Sequence, residues 1–345
     1  MPTASVILSD PKIKYQVPKY GKAIALLLDR TECCLYFGPM EILNTIIPIF
    51  PVIVLGWFAR QRGFVPAEFL VPANRLVFYI AIPAMVFGAI AKSSLKTDFN
   101  PQVLGVTLAA IIFSFGLTCL VGKRLHLPSQ RSGTFVQSAF HGNLGYIGLA
   151  VAYYFLGSDG FASASILTGF IMILQNFLSV FVLQFYADST PSSHSPRKLI
   201  SKIVGNPVIL SAISGIVFAL TGLALPVIVV RTLDIISGMS LPLALLLIGA
   251  SLGFDMIKSR FHHLLLASFI KLMVLPCVGF VLYSLWKIPP DLYVPGLILL
   301  ASPTATISYV MAREMNGDPE FAVAAISLST LLSAITFTFW LHLTH

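Results

Sequence analysis

From Met40 onward the chain is a succession of apolar runs, at about 40–60, 70–92, 102–122, 131–157, 161–186, 204–223, 227–253, 262–284, 293–313 and 320–343. A helix of about 20 apolar residues crosses the hydrocarbon core of a bilayer. Ten such runs predict ten membrane-crossing helices. Only 10% of the residues are charged, against roughly a quarter in a soluble domain, and they sit in the short intervals between runs. The formal charge of +8 is therefore read as membrane topology rather than as a nucleic-acid footprint. The expected partners are a lipid bilayer and a small solute, with no nucleic acid.

Residues 1–39 form a separate N-terminal tail. Lys12, Lys14, Lys19, Lys22 and Arg30 surround one short apolar run, Ala23 to Leu28. That run is shorter than the apolar region of a signal peptide. The tail is read as a peripheral basic segment or as sequence upstream of the true start, with translation from Met40 preferred.

The unit beyond Met40 contains an internal repeat. Pro66 recurs as Pro226, Pro83 as Pro242 and Pro128 as Pro289, while Gly157, Asp159, Phe161 and Ala162 recur as Gly317, Asp318, Phe321 and Ala322. Every offset lies between 159 and 161 residues. Apolar coincidences are cheap in such a chain, so the weight rests on the prolines and the aspartate. The division is a first five-helix repeat at 40–186, a polar linker at 187–203 and a second five-helix repeat at 204–345. Five is odd, so the second copy must enter the membrane from the opposite face. The expected fold class is all-α integral membrane, ten helices in two inverted repeats, an architecture suited to alternating access.

Basic residues set the expected orientation. One face receives Arg60, Arg62, Arg75, Lys123, Arg124, Arg131, Arg197, Lys198, Lys202, Lys258, Arg260 and Arg313, and the other only Lys92, Lys96, Arg231 and Lys287. The richer face is cytoplasmic by the positive-inside rule. The linker 187–203 is then cytoplasmic, and both ends of the ten-helix unit lie outside.

Two runs are poor membrane helices. The fourth contains Gln137, Ser138, His141, Gly142, Asn143, Gly145, Tyr146 and Gly148, with three glycines in seven residues. The ninth contains Ser302, Pro303, Thr304 and Ser308, and Pro303 removes a backbone donor. Irregular backbone at that depth is tolerated only where protein or a wet cavity satisfies it. Interrupted helices at matching places in two repeats point to a transporter's binding site. The candidate substrate-binding residues are Gly142, Asn143, Gly145, Tyr146, Ser302, Pro303, Thr304 and Ser308. Half-helix N-termini meeting there would favour an anion such as a carboxylate. The plainer alternative is close helix packing at the glycines and an inert kink at Pro303.

His141, Gln137, Lys271 and Asn176 are candidates for substrate contact or ion coupling. A His satisfied by a neighbouring carbonyl is the alternative for His141, and a side chain snorkelling to the cytoplasmic face the alternative for Lys271. Gln175 and Asn176 would line a cavity or bond across helices. Asp159 and Asp318 are read as helix caps. The chain contains no intramembrane carboxylate pair, no metal-ligand spacing among its His or Cys residues and no Gly-rich nucleotide loop. No enzymatic activity, cofactor or metal is expected. The function expected is secondary transport of a small organic anion, driven by an ion gradient or by the membrane potential, with a transport-inactive ligand sensor on the same fold as the alternative.

The run Gly142-Asn143-Leu144-Gly145-Tyr146-Ile147-Gly148 resembles the fourth-helix motif of the auxin efflux carrier family and its bacterial members. So do Gly205-Asn206-Pro207, Leu241-Pro242-Leu243-Ala244-Leu245 with Ile248-Gly249-Ala250-Ser251-Leu252, and Ser302-Pro303-Thr304-Ala305 with Ser308-Tyr309-Val310-Met311-Ala312 and Gly317-Asp318. The resemblance covers about 40–343. It implies broken, crossing fourth and ninth helices. It also implies elevator motion of helices three to five and eight to ten against the other four. An organic anion substrate and homodimers follow from the same resemblance; H+ or Na+ is the candidate coupling ion, and a bacterial inner membrane the expected location. One departure is Ala150, where the family's fourth helix commonly has proline.

Overall fold

A computed structural model describes residues 47–93, 98–186, 206–254, 257 and 260–344, apart from the side chains of Asp159 and Glu314. The tail and the linker lie outside the described residues. The described chain is helical: α1 (Ile49–Gln61), α2 (Ala67–Ala91), α3 (Pro101–Arg124), α4 (Ser129–Phe140), α5 (Leu144–Ser158), α6 (Gly160–Tyr186), α7 (Pro207–Leu220), α8 (Val227–Ala250), α9 (Phe261–Leu285), α10 (Pro290–Ala301), α11 (Ile307–Glu314) and α12 (Pro319–Leu343). Among the described residues the only β pairing is an isolated antiparallel bridge between Gly142 and Thr304. Six helices, α2, α3, α6, α8, α9 and α12, are long and apolar enough to cross a membrane unaided. At 24 residues α3 is about 36 Å long, against a hydrocarbon core of about 30 Å. Large apolar side chains such as Ile228 (80% exposed) and Ile335 (72%) face outward, as lipid permits and water does not.

Several prolines punctuate the helices through their missing N–H, while Pro72 and Pro295 lie inside helices. Pro66, Pro128, Pro226 and Pro289 stand at the N-caps of α2, α4, α8 and α10. There an N–H would have no intrahelical partner in any case. Pro83 and Pro276 lie inside α2 and α9, and each follows a π-turn, at Val77–Ala81 and Ile270–Val274. A proline leaves the carbonyl four residues back without its helical donor. At Pro276 that carbonyl is Leu272 O, which instead accepts Trp340 Nε1–H of α12 at 2.8 Å. Both turns leading into the interrupted segments pass through one left-handed residue, His126 (φ 49°) and Lys287 (φ 52°). Gly157, at φ 67°, divides α5 from α6.

The helices sort into two packed groups. In one, α1 lies along the second half of α8, and α7 along the second half of α2. The other holds α3 to α6 and α9 to α12. At one end of the second group Asp318 joins three helices. Its backbone N–H donates to Thr134 Oγ1 of α4 at 2.8 Å, and its carboxylate caps α12 by accepting from Phe321 N–H at 2.9 Å. Arg131 Nε (3.0 Å) and Arg260 Nη1 (2.8 Å) pair with the same carboxylate. The cap expected at Asp318 is therefore present.

Burial alone would raise the Asp318 carboxyl, but the Phe321 N–H and the two guanidinium groups outweigh it and hold it below the usual carboxylate range. A depressed folded value stabilises above the unfolded pKa of about 3.9 and fades as pH falls through the folded one. Asp318→Asn is expected to lose roughly 2 kcal/mol at neutral pH, through a weakened cap and two unpaired arginines. In thermal melts of purified protein, the gap between the variant and the parent should close below about pH 4.

The fourth run is interrupted, as expected from its glycines, His141 and Asn143. The break is confined to His141–Asn143. Gly145 and Gly148 sit in the opening π-turn of α5, Leu144–Gly148, where their missing side chains let Met172 and Leu299 approach. The ninth run divides as expected around Pro303, between α10 and α11.

Candidate functional site

The two interrupted segments run antiparallel past each other at the centre of the second group. Asn143 N–H donates to Pro303 O at 2.7 Å, and Ala305 N–H donates to His141 O at 2.9 Å. These bonds meet part of the demand that helix breakage creates in a nonpolar interior. Neighbouring side chains meet more of it. Gln175 Oε1 of α6 accepts from Gly142 N–H (3.1 Å) while its Nε2 donates to Phe140 O (3.3 Å). Ser329 Oγ of α12 accepts from Thr304 N–H at 3.1 Å, and Thr304 Oγ1 donates to Ser138 O at 2.8 Å.

The helix ends meeting here have opposite polarity. α4 and α10 arrive with their C-termini, whose carbonyls carry partial negative charge, and α5 and α11 leave with their N-termini, whose N–H groups carry the positive. A cavity opens on the N-terminal side. It is lined by His141, Gly142 and Asn143, by Leu144, Gly145 and Tyr146 of α5, and by Ala305, Thr306 and Ile307. Met172 and Asn176 of α6 complete that wall. Phe78 and Ile82 of α2, with Asn206 and Val208 at the start of α7, form the opposite one. The cavity thus lies between the two helix groups.

Several polar atoms around the crossing are buried without a protein partner among the described residues. They are Asn143 Nδ2, Gln137 Oε1, Ser138 Oγ and Ser308 Oγ. Asn143 is 3% exposed and lines the cavity, and its Nδ2 is buried without a protein hydrogen bond among the described residues. An unsatisfied buried donor costs about 1–3 kcal/mol unless something occupies the site.

The structure brings His141, Gly142, Asn143, Gly145, Tyr146 and Asn176 to one cavity wall. Ser302, Pro303, Thr304 and Ser308 are in the crossing but not on that wall. The Ser302 hydroxyl is engaged with Leu299 O (2.7 Å) and that of Thr304 with Ser138 O. His141 Nδ1 pairs with Ser179 Oγ at 2.9 Å, so a serine rather than a carbonyl faces that nitrogen. Gln137 Nε2 contacts Met311 Sδ at 3.3 Å. Lys271 does not snorkel. It is fully buried, and its Nζ donates to Leu300 O at 2.7 Å. Sequence reasoning passed over Met172, Thr306, Phe78 and Asn206 as lining residues. Asn206 carried a signal as the Asn-Pro start of α7, and its Oδ1 caps that helix.

Broken helices cross inside an apolar bundle beside a cavity of mixed polar and apolar lining between two helix groups, the arrangement of a membrane transporter's binding site. Residues 41–341 match the model of a family described as membrane transport protein, and the chain belongs to that family, the auxin efflux carriers. It is 25% identical over 316 residues to a "putative malonate transporter" of Rhizobium meliloti, covering 88% of this chain and 96% of that one. It is 22% identical over 309 residues to an uncharacterized transporter of Methanocaldococcus jannaschii (88% and 97%). An uncharacterized transporter of Escherichia coli strain K12 is 20% identical over 310 residues (87% and 96%). The family and its relatives point to a multi-pass membrane transporter with a small-molecule substrate.

Proposed function

We propose that the chain is a secondary carrier for a small organic anion, a carboxylate, working by alternating access of elevator type. The observation that carries this is the cavity at the crossing. The N-termini of α5 and α11 and the unpaired amide of Asn143 converge on it, and both features attract negative charge. The name of the Rhizobium relative suggests malonate as a first substrate to try. The motion would carry α3–α6 and α9–α12 past α1, α2, α7 and α8. The cavity's position between those groups supports that division.

The ten-crossing count takes α4 with α5 and α10 with α11 as one crossing each, in two inverted repeats. Support comes from the reciprocal packing of α1 on α8 and α7 on α2, each pairing the first helix of one repeat with the second of the other. By the charge bias the end holding Arg131, Arg260 and Asp318 is cytoplasmic, in a bacterial inner membrane. A homodimer completes the proposal.

The test is flux into proteoliposomes across a panel of mono- and dicarboxylates beginning with malonate. Transport should saturate. Asn143→Ala should lower it about tenfold, the equivalent of one lost hydrogen bond to a charged ligand. Pro303→Ala, which lets the ninth run heal into continuous helix, should lower it further. Unchanged flux in both variants would falsify the site.

A further inference from the structure

We infer that Lys271 is the coupling group of this carrier: it takes up a proton when the anion binds and gives it up when the anion leaves, so that transport is proton-coupled and independent of sodium. The inference rests on the cavity being an anion site.

Lys271 lies in the π-turn Ile270–Val274 of α9, with no exposed surface. Its Nζ donates to Leu300 O, one residue before the C-terminal end of α10. A side chain built on Gly142 would meet Lys271 Cε and Nζ at 3.3 Å, so the amine packs directly against the break that ends α4. Two helix C-termini therefore surround it. Broken-helix C-termini and their loose carbonyls are where transporters of this general construction hold a coupling cation. Here a covalently attached amine occupies that position.

Among the described residues no carboxylate pairs with Lys271. The helix elements packed on its turn are α3, α4, α10 and α12. They carry their charged groups at their ends, as with Lys123, Arg131, Asp291 and Glu320. Among the described residues His141, one residue from Gly142, interacts electrostatically with it, and a histidine offers no negative charge. A buried ammonium without a counter-ion is costly, and helix ends offset only part of that cost. The missing negative charge is the substrate, on the other side of Gly142. Anion and proton each lower the cost of the other, so the favoured loaded form holds both and the favoured empty form holds neither. In a full cycle the proton passes from water on one side to the Nζ lone pair. It returns to water on the other side as the carboxylate leaves.

The experiment uses the carboxylate carried best in the flux panel, with the membrane potential clamped at zero by potassium and valinomycin. For the parent protein, one unit of pH gradient should give about tenfold accumulation per coupled proton, and a sodium gradient should give none. Lys271→Met and Lys271→Gln should lose the pH-driven accumulation and bind the same carboxylate more weakly, yet exchange it by counterflow once its concentration is raised to saturation, which also reports that they fold. Lys271→Arg, with its charge fixed, should exchange but not accumulate. Purified parent protein should take up protons from a weakly buffered dye solution when the carboxylate is added, and Lys271→Met should not. Accumulation that follows sodium, or pH-driven accumulation surviving in Lys271→Met, overturns the inference. Loss of counterflow in Lys271→Met and Lys271→Gln even at saturating carboxylate, with melting curves like the parent's, also overturns it, since the amine would then be required for the translocation of the anion itself. Failure of the anion site reads out separately, as Asn143→Ala and Pro303→Ala leaving flux unchanged.

Discussion

Gly249→Ala is expected to lower the thermal stability of the protein by at least about 3 kcal/mol, because α1 and α8 touch backbone to backbone there. A methyl on Gly249 would overlap Ile53 O and stand 2.9 Å from Trp57 N, while one on Gly56 would overlap Leu246 O across the same seam. Overpacking costs about 1–3 kcal/mol when side chains can shift to absorb it. Main-chain atoms cannot, so whole helices must separate, and between membrane helices close packing is itself the attraction. Gly88 supplies the control. It stands at the matching place in the other repeat, 161 residues earlier, yet its nearest neighbour for a new methyl is Leu233 Cβ at an ordinary 3.8 Å. Gly88→Ala should be neutral or slightly stabilising, since alanine favours helix by up to about 1 kcal/mol. Thermal melts followed by size-exclusion fluorescence would measure both. Equal midpoints for the two variants would mean that α1 and α8 are not held this close.

Gly142→Ala is expected to reduce transport about tenfold or more while leaving the folded population intact. Its methyl would reach within 2.5 Å of Ser302 Oγ and 3.3 Å of Lys271 Nζ, at the point where the two broken segments pass. An overpacking strain of 1–3 kcal/mol there corresponds to roughly 5- to 150-fold. Ser302 Oγ is the first atom met, so the pair Gly142→Ala with Ser302→Ala should recover part of the flux. Ser302→Ala alone loses one hydrogen bond to Leu299 O, a small effect. Absence of rescue in the double variant would place the strain elsewhere than at the Gly142–Ser302 contact.

Proline positions were legible along the chain because a residue without an N–H acts within one helical turn. Pro66, Pro128, Pro226 and Pro289 all open helices, and Pro303 divides its run. Glycine was less informative. It permits a break without requiring one, so Gly145 and Gly148 stay in α5 while the chain opens at Gly142. The roles of neighbouring polar residues were beyond sequence altogether. Gln175 bonds to the backbone at Phe140, just before the break, and at Gly142 within it, and the adjacent Asn176 lines the cavity. About 100° of helical rotation separates the two roles. The hydroxyls of Ser302 and Thr304 looked available in sequence but are engaged by backbone carbonyls, Leu299 O and Ser138 O.

By itself the sequence determined that this chain belongs in a bilayer, where its helices start, and that two of its runs are interrupted. Those properties follow from apolar length and from local backbone chemistry, and neither needs a neighbour. Only the tertiary structure decided that the two interruptions pass within hydrogen-bonding distance. It also decided that Asn143 keeps an unpaired amide on a cavity wall, and that Lys271 lies buried among helix ends instead of reaching for water. Each of these depends on which carbonyl or hydroxyl another helix brings alongside, from 29 residues away for Lys271 and Leu300 to about 160 for Asn143 and Pro303.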